Sequence, residues 1–97
     1  MTEAQVKIEF TGISRMLTSQ SEIQLPITAT GTFSDVVTLL GEKYPALIGQ
    51  IIDQGGKSFI PTNLFSLNGQ RIIQEADMGG KVSDGDCLIV ISLLAGG

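Results

Sequence analysis

Histidine is absent from this chain, and cysteine occurs once, as Cys87. Histidine is the commonest general base and a frequent metal ligand, so its absence removes the usual centre of acid–base or metal chemistry. A single cysteine can form neither an internal disulfide nor a cysteine cluster for zinc. Because Cys87 opens an apolar segment, we expect it to be a small core residue and not a nucleophile. The residue types therefore favour a non-catalytic domain that binds no metal or cofactor of its own.

Positive charge is scarce as well, and long apolar runs are missing. Six basic residues stand against ten acidic ones, a net charge of −4. Nucleic-acid binding requires a basic stripe, whereas this balance suits a partner with a basic docking surface. No segment approaches the roughly 20 apolar residues of a membrane span, and residues 1–5 lack the features of a signal peptide. We expect a cytoplasmic protein that contacts neither nucleic acid nor membrane.

Two runs of alternating polarity predict strands in the first third of the chain. Residues 5–12 and 22–27 each place apolar side chains at every second position, which is typical of a half-buried strand. Pro26 stands on the polar side of the second run and indicates an edge strand, because proline cannot donate to a ladder. We interpret residues 13–20 between them as a loop. The predicted inward residues are Val6, Ile8, Phe10, Ile23, Leu25 and Ile27.

A helix is predicted between Thr32 and Pro45. Thr32 is a suitable N-cap, and Asp35 three residues later completes a capping box. Pro45 ends the helix, because the residue before a proline is driven out of the helical region. A further turn or two is expected over residues 46–52. The apolar face of the helix, at helical spacing, consists of Phe33, Val36, Val37, Leu40 and Tyr44.

The second half of the chain predicts a hairpin and a central strand. Asn68-Gly69 is a strong signal for a type I′ turn between short strands at 64–67 and 71–73. The segment from Cys87 to Ile91 is apolar at every position, which indicates a strand buried on both faces and paired in parallel with the first. The predicted order is β-β-α-β-β-β, with a single helix on one face of the sheet.

Two short motifs suggest ligand sites but are better explained as turns. Gly55–Ser58 is similar to the end of a phosphate-binding loop, yet Ile51 occupies the position of its required first glycine. Asp84 and Asp86 flank a glycine, a pattern typical of a tight turn and not of a metal site.

This order of elements, with four short motifs, resembles the ubiquitin-like β-grasp sulfur carriers. The motifs lie at 41–45 (GEKYP), 67–69 (LNG), 84–86 (DGD) and 95–97 (AGG). Within that group the sequence is most similar to the small subunits of molybdopterin synthase, and less so to the thiamine sulfur carriers and the ubiquitin-like modifiers. Those small subunits usually carry prolines just before the tail, where this chain has Ser92 and Leu93.

The resemblance implies an α+β fold. We expect a mixed sheet of about five strands, one main helix on one face and a flexible C-terminal Gly-Gly tail. The β-grasp domain would comprise residues 1–92, and the tail residues 93–97.

The function implied by the resemblance resides in that tail. An activating enzyme would adenylate the carboxylate of Gly97 with ATP, and sulfur transfer would then produce a thiocarboxylate. Gly96 and Ala95 would leave clearance for entry into a narrow channel. The large molybdopterin synthase subunit, or another sulfur acceptor enzyme, would take the sulfur. The chain itself would be a co-substrate without catalytic residues.

A docking face is predicted beside the tail. If Leu88 and Val90 face the helix, the alternate residues of the final strand lie on the opposite, uncovered face, and exposed contiguous apolar surface marks partner sites. Residues 46–63 could instead cover this face. The predicted docking residues are Ile89, Ile91, Leu93 and Leu94.

Three alternatives remain open from the sequence. The chain could carry sulfur for thiamine or another pathway, or it could be a ubiquitin-like modifier joined through Gly97 to lysines of other proteins. A non-covalent β-grasp interaction module with an inactive tail is the third. The activation chemistry is common to carriers and modifiers, so the residues do not separate them.

Overall fold

The computed structural model describes residues 3–93, which contain five strands and four helical segments. Seven of the elements are conventional strands and α-helices, and two are single turns of 3-10 helix. In chain order they are β1 (Glu3–Phe10), α1 (Gly12–Thr18), β2 (Glu22–Thr28), α2 (Phe33–Lys43), a 3-10 helix (Pro45–Leu47), β3 (Asn63–Leu67), β4 (Arg71–Ile73), a second 3-10 helix (Glu75–Asp77) and β5 (Cys87–Ser92).

The strands form one mixed sheet in the order β2-β1-β5-β3-β4. β1 and β5 are parallel, with Ile8 opposite Leu88, while the other neighbours are antiparallel. The continuous apolar strand β5 is therefore central, as predicted, and β2 with its proline is at an edge. The predicted five-stranded, mixed β-grasp sheet is confirmed.

The core lies between one face of the sheet and α2. Alternate residues of β1 are buried, as are Leu88 and Val90 of β5. The apolar stripe of α2 packs against them, with Val36, Val37 and Leu40 almost inaccessible to solvent. The apolar residues that recur every second position in the strands therefore pack against those that recur at helical spacing in α2.

The ends of α2 are fixed as the sequence predicts. The Asp35 amide donates to Thr32 Oγ1 at 3.2 Å, and the Thr32 amide donates to Asp35 Oδ2 at 2.9 Å. This capping box satisfies two of the amides that a helix start leaves without partners. At the other end Tyr44 leaves the helical region before Pro45, which then begins a 3-10 turn.

The Asn68-Gly69 turn joins β3 to β4 and also holds the start of β5. Both residues have positive φ angles, 55° and 70°, as a type I′ turn requires. Asn68 Oδ1 accepts from the Cys87 amide at 2.8 Å, and Asn68 Nδ2 donates to Asp86 Oδ1 at 3.3 Å. Asp84 Oδ1 accepts from the Gln5 amide at 2.8 Å. Asp84 therefore joins the 84–86 turn to β1, and Asp86 Oδ2 accepts from the Ser83 amide at 2.8 Å within that turn.

The expected loop at 13–20 is wrong, because residues Gly12–Thr18 form the helix α1. Its buried positions are held by hydroxyl side chains that bond to the backbone. Ser14 Oγ accepts from the Thr11 amide at 3.1 Å and donates to the Thr11 carbonyl at 2.8 Å, while Thr18 Oγ1 donates to the Ser14 carbonyl at 2.9 Å. Helix α1 packs on the 3-10 turn at Pro45–Leu47 and on β1 and β5. The expectation of a single helix over the sheet is corrected accordingly.

The segment after α2 contributes to the core through part of its length. Leu47, Ile51 and Ile52 are buried, and the side chain of Ile52 lies close to Gly41 of α2. Further on, Phe59 packs edge-on against Phe65 at 4.8 Å between ring centroids. Among residues 3–93 no helix is long and apolar enough to cross a bilayer.

We predict that Gly31→Ala destabilises the fold by about 1–3 kcal/mol, the usual range for overpacking a core. A Cβ at Gly31 would lie 2.5 Å from Ile27 Cγ1 and 3.1 Å from the Thr28 carbonyl oxygen. Urea titration followed by circular dichroism measures the change. Gly79→Ala is the matched control, because its Cβ would meet no atom within 4 Å, and it should stay within about 0.5 kcal/mol of the parent. Equal stability of the two variants would contradict the close packing at Gly31.

Candidate functional site

The point at which the tail leaves the sheet is held by backbone hydrogen bonds from β3. Ser92 lies opposite Asn63 in the antiparallel pair of β3 and β5. The Leu93 amide then donates to the Thr62 carbonyl at 2.6 Å, and Thr62 adopts a φ of 90°. A proline at position 93 could not donate this bond. Leu93, which stands where the small subunits that the sequence resembles usually carry proline, therefore makes a backbone bond that a proline could not make.

The residues predicted to carry the chemistry lie beyond this exit. Leu94, Ala95, Gly96 and Gly97 are outside the described residues, and their roles stay predictions. The described part of the chain ends at Leu93, whose side chain is 66% exposed.

The predicted docking face is divided between half-buried and exposed residues. Leu88 and Val90 are buried on the helix side, while Ile89 and Ile91 are half-buried on the opposite side, here called the open face. The register places Leu64 opposite Ile91. Leu64 was missed in the sequence, although the alternation in β3 could have assigned it to this face. No contact tests the docking role, which stays a prediction.

Next to these apolar residues the open face carries a cluster of charged groups from β1 and β2. Lys7 Nζ lies 3.4 Å from Glu9 Oε2 and 3.9 Å from Glu22 Oε1. The hydrogen bond to Glu9, followed by the charge of Glu22, raises the pKa of Lys7. Lys7 is therefore a protonated, ion-paired group at neutral pH and a poor candidate for a nucleophile or base.

Cys87 belongs to this cluster and not to the core, which corrects the sequence interpretation. It lies opposite Lys7 in the parallel pair, so its side chain shares the open face. Its Sγ donates to Glu9 Oε2 at 3.4 Å. Burial, then the hydrogen bond to Glu9 and its charge, raises the pKa of the thiol. The thiolate is the nucleophilic form, so this environment suppresses nucleophilic chemistry at Cys87.

A surface depression of about 490 Å³ lies beside the first residues of β3. Its apolar lining includes Phe59, Ile73 and Met78. Glu75 is the one ionisable side chain among its lining residues. An acid–base pair would need a second such group. Within residues 3–93 no three residues of the metal-binding types lie close enough together to hold an ion.

We predict that Cys87 reacts with iodoacetamide more slowly than a free thiol, and that its pH–rate profile is displaced to higher pH. The raised pKa lowers the thiolate fraction at any given pH. Glu9→Gln removes the acceptor's charge, so it should move the profile to lower pH and accelerate alkylation near pH 8. Mass spectrometry gives the rate directly, because the chain has one cysteine.

Glu42→Gln is the control, since Glu42 is an exposed carboxylate on α2. An unchanged profile in the Glu9 variant would contradict the contact between the thiol and Glu9.

No protein-family model and no curated protein matches this sequence. Solved structures do match it over nearly its whole length. SAMP1 from Haloferax volcanii superposes with a TM-score of 0.81 at 16% identity, covering 97% of this chain and 100% of the other. Urm1 from Trypanosoma brucei superposes with a TM-score of 0.71 at 26% identity, covering 100% of this chain and 99% of the other. A protein described as molybdopterin converting factor subunit 1 from Pyrococcus furiosus superposes with a TM-score of 0.70 at 15% identity, covering 92% of this chain and 97% of the other.

These neighbours are ubiquitin-like β-grasp carriers and modifiers, which confirms the resemblance seen in the sequence. The two neighbours below 25% identity support the fold alone. The match extends over nearly the whole length of all three neighbours. The protein has the ubiquitin-like β-grasp fold, similar to that of SAMP1, Urm1 and a molybdopterin converting factor subunit.

Proposed function

We propose that this chain is a sulfur carrier whose terminal glycine, Gly97, is activated as an acyl adenylate and converted to a thiocarboxylate. The observation that carries the proposal is the position of β5. A central strand, paired on both sides, leads directly into a short uncharged segment that ends in Gly96-Gly97. The domain thus fixes the origin of the tail, while the tail itself presents one reactive group, the terminal carboxylate.

The chemistry requires an ATP-dependent activating enzyme, because a carboxylate is a poor electrophile. The Gly97 carboxylate would attack the α-phosphate of ATP and release pyrophosphate. A sulfur nucleophile at the oxidation level of sulfide would then displace AMP and leave a thiocarboxylate. We place these steps in the cytoplasm, where ATP is available.

In this proposal the domain is a co-substrate and not a catalyst. Gly96 and Ala95 leave room for a narrow active-site channel, since glycine has no Cβ. The docking face of Ile89, Ile91, Leu93 and Leu94 contacts the partner beside the channel. Capture of a C-terminus next to an apolar surface is a recurrent mode of recognition.

We assign the sulfur to a pterin precursor of the molybdenum cofactor, with the large molybdopterin synthase subunit as acceptor. The support is the fold of the Pyrococcus furiosus neighbour, which is assigned as a molybdopterin converting factor subunit. A carrier for thiamine or another pathway would use the same tail chemistry with a different acceptor enzyme.

A second candidate is a protein modifier that ends in an isopeptide bond between Gly97 and lysines of other proteins. It is favoured by the neighbour from Haloferax volcanii, a small archaeal modifier protein. The carrier and the modifier share the acyl adenylate, and they differ in whether sulfur or an amine is the final nucleophile.

We predict that intact-mass spectrometry of the protein from its native cell shows a species in which one terminal oxygen is replaced by sulfur. A variant that lacks Gly96 and Gly97 is the control and should show no such species. Lysine-linked adducts without any sulfur species would favour the modifier. Full activity of the truncated variant would overturn both and leave a non-covalent interaction module.

We further predict that Ile91→Asp weakens partner binding at least tenfold and leaves the domain folded. Ile91 is half-buried on the open face, opposite Leu64, so a partner that covers it would have to desolvate the new carboxylate. Titration calorimetry against the purified activating enzyme measures the loss, and circular dichroism reports the fold. Gln24→Asp is the control, since it adds the same charge to an exposed position on β2. Unfolding of the Ile91 variant would assign that residue to the core instead.

A further inference from the structure

Helix α1 exposes two of its three large apolar side chains. Leu17 is half-buried against the core, whereas Ile13 and Met16 are 56% and 77% exposed. The two fully buried residues of the helix are polar, Ser14 at 1% and Thr18 at 7% exposure. A helix at a protein surface ordinarily turns its apolar side chains inward. Ile13 and Met16 are three residues apart and therefore lie on neighbouring positions of one helix face. We call these two residues the α1 apolar pair.

The stability of α1 does not depend on this pair. Hydroxyl bonds within the helix and to Thr11 hold its buried side, as described above. A single exposed apolar side chain is ordinary in a soluble protein. However, four large apolar side chains are exposed within residues 3–93, and three of them are this pair and Leu93. These three residues follow directly on the paired strands β1 and β5.

The α1 apolar pair lies at the end of the sheet where the tail begins. Phe10, the last residue of β1, is opposite Val90 of the parallel strand β5. Thr11 Oγ1 then donates to the Val90 carbonyl at 2.6 Å, immediately before α1 begins. Helix α1 therefore begins beside the last residues of β5, which ends at Ser92.

Charge is sparse along the described segments that flank the exit. Residues 10–21, 58–66 and 87–93 contain one charged residue, Arg15, while Glu9 and Glu22, paired in register beside Phe10, lie next to these segments. The centre of a protein interface is depleted in charge and enriched in methionine. The α1 apolar pair, with Met16 as its more exposed member, fits the composition of such a centre.

We propose that the α1 apolar pair is a docking site for the ATP-dependent enzyme that activates Gly97. This inference rests on the proposed function, and it deepens it by naming a recognition surface outside the sheet.

The length of the chain after Leu93 limits how far from the α1 apolar pair the activating enzyme can bind. Four residues follow Leu93, and fully extended they span at most about 14 Å. An enzyme whose active site receives Gly97 must approach Leu93 within that distance. A standard interface buries about 800 Å² on each partner, which corresponds to a disc roughly 16 Å in radius. Thr11, the N-cap of α1, bonds to Val90, which is three residues before Leu93. An interface of this size around the exit therefore extends to α1, whose seven residues span about 10 Å.

The test uses the full chain and measures ATP–pyrophosphate exchange. The enzyme is the fraction of the source cell that exchanges pyrophosphate only when this chain is present. We expect the double variant Ile13→Gln, Met16→Gln to lower kcat/KM at least tenfold through KM, with kcat unchanged. Contacts remote from the reacting carbon contribute to binding in both the ground state and the transition state. Glutamine retains helix propensity and replaces exposed side chains, so the urea midpoint should stay the same.

Ile72→Gln is the matched control. Ile72 is the fourth exposed apolar residue, at 39%, on the edge strand β4, which β3 separates from β5. It should stay within twofold of the parent. An unchanged double variant, or an equal loss in the Ile72 variant, would overturn the role of the pair.

Deletion of Gly96 and Gly97 distinguishes the two proposals, because it should abolish exchange whether or not α1 docks. If the glycine deletion abolishes exchange but the double variant supports exchange normally, the proposed function is supported and the docking site is overturned. If the parent chain supports no exchange in any fraction, both fall together. Analytical sedimentation of the parent chain tests whether a second copy of this chain covers the pair instead. A dimer that dissociates in the double variant, with exchange unaffected, would assign the pair to self-association and overturn the proposal.

Discussion

The parallel pairing of β1 with β5 is the constraint on which the rest of the structure depends. It joins the first and last strands of the described chain, so everything between them must form the crossover. Its two ends are closed by long-range bonds. At one end the Lys7 amide donates to the Asp86 carbonyl, and at the other Thr11 Oγ1 donates to the Val90 carbonyl. Because β5 is held on both sides, the point at which the tail leaves the sheet is fixed relative to α1 and the open face.

The sequence predicted the elements whose signals are local. Alternation identified β1 and β2, the Thr32–Asp35 capping box began α2, and Asn68-Gly69 identified the hairpin turn. Each of these signals acts within a few residues, so neighbouring side chains are sufficient to reveal it. The central position of β5 was also predictable, because a strand without a polar face can be accommodated only where both faces are covered.

The features that escaped the sequence depend on tertiary contacts. Helix α1 has no apolar stripe to detect, because Leu17 is its one apolar residue packed against the core. Its fully buried residues are Ser14 and Thr18, whose hydroxyls are accommodated in the interior because they bond to backbone groups. Cys87 was assigned to the core because its neighbours are apolar. Its actual face follows from the register with Lys7, which local sequence does not specify.

The proposed carrier would separate reactivity from recognition, and the distribution of side chains here fits that division. The described residues bring together no catalytic set, the Cys87 thiol has a raised pKa, and Lys7 is held in ion pairs. Such a domain cannot select its partner by chemistry, because a terminal carboxylate is common to every chain. Selection must therefore come from the surface around the exit. The backbone bond from Leu93 to Thr62 keeps that exit in register with β3, so that apolar groups of the open face and of α1 can be recognised together with the tail.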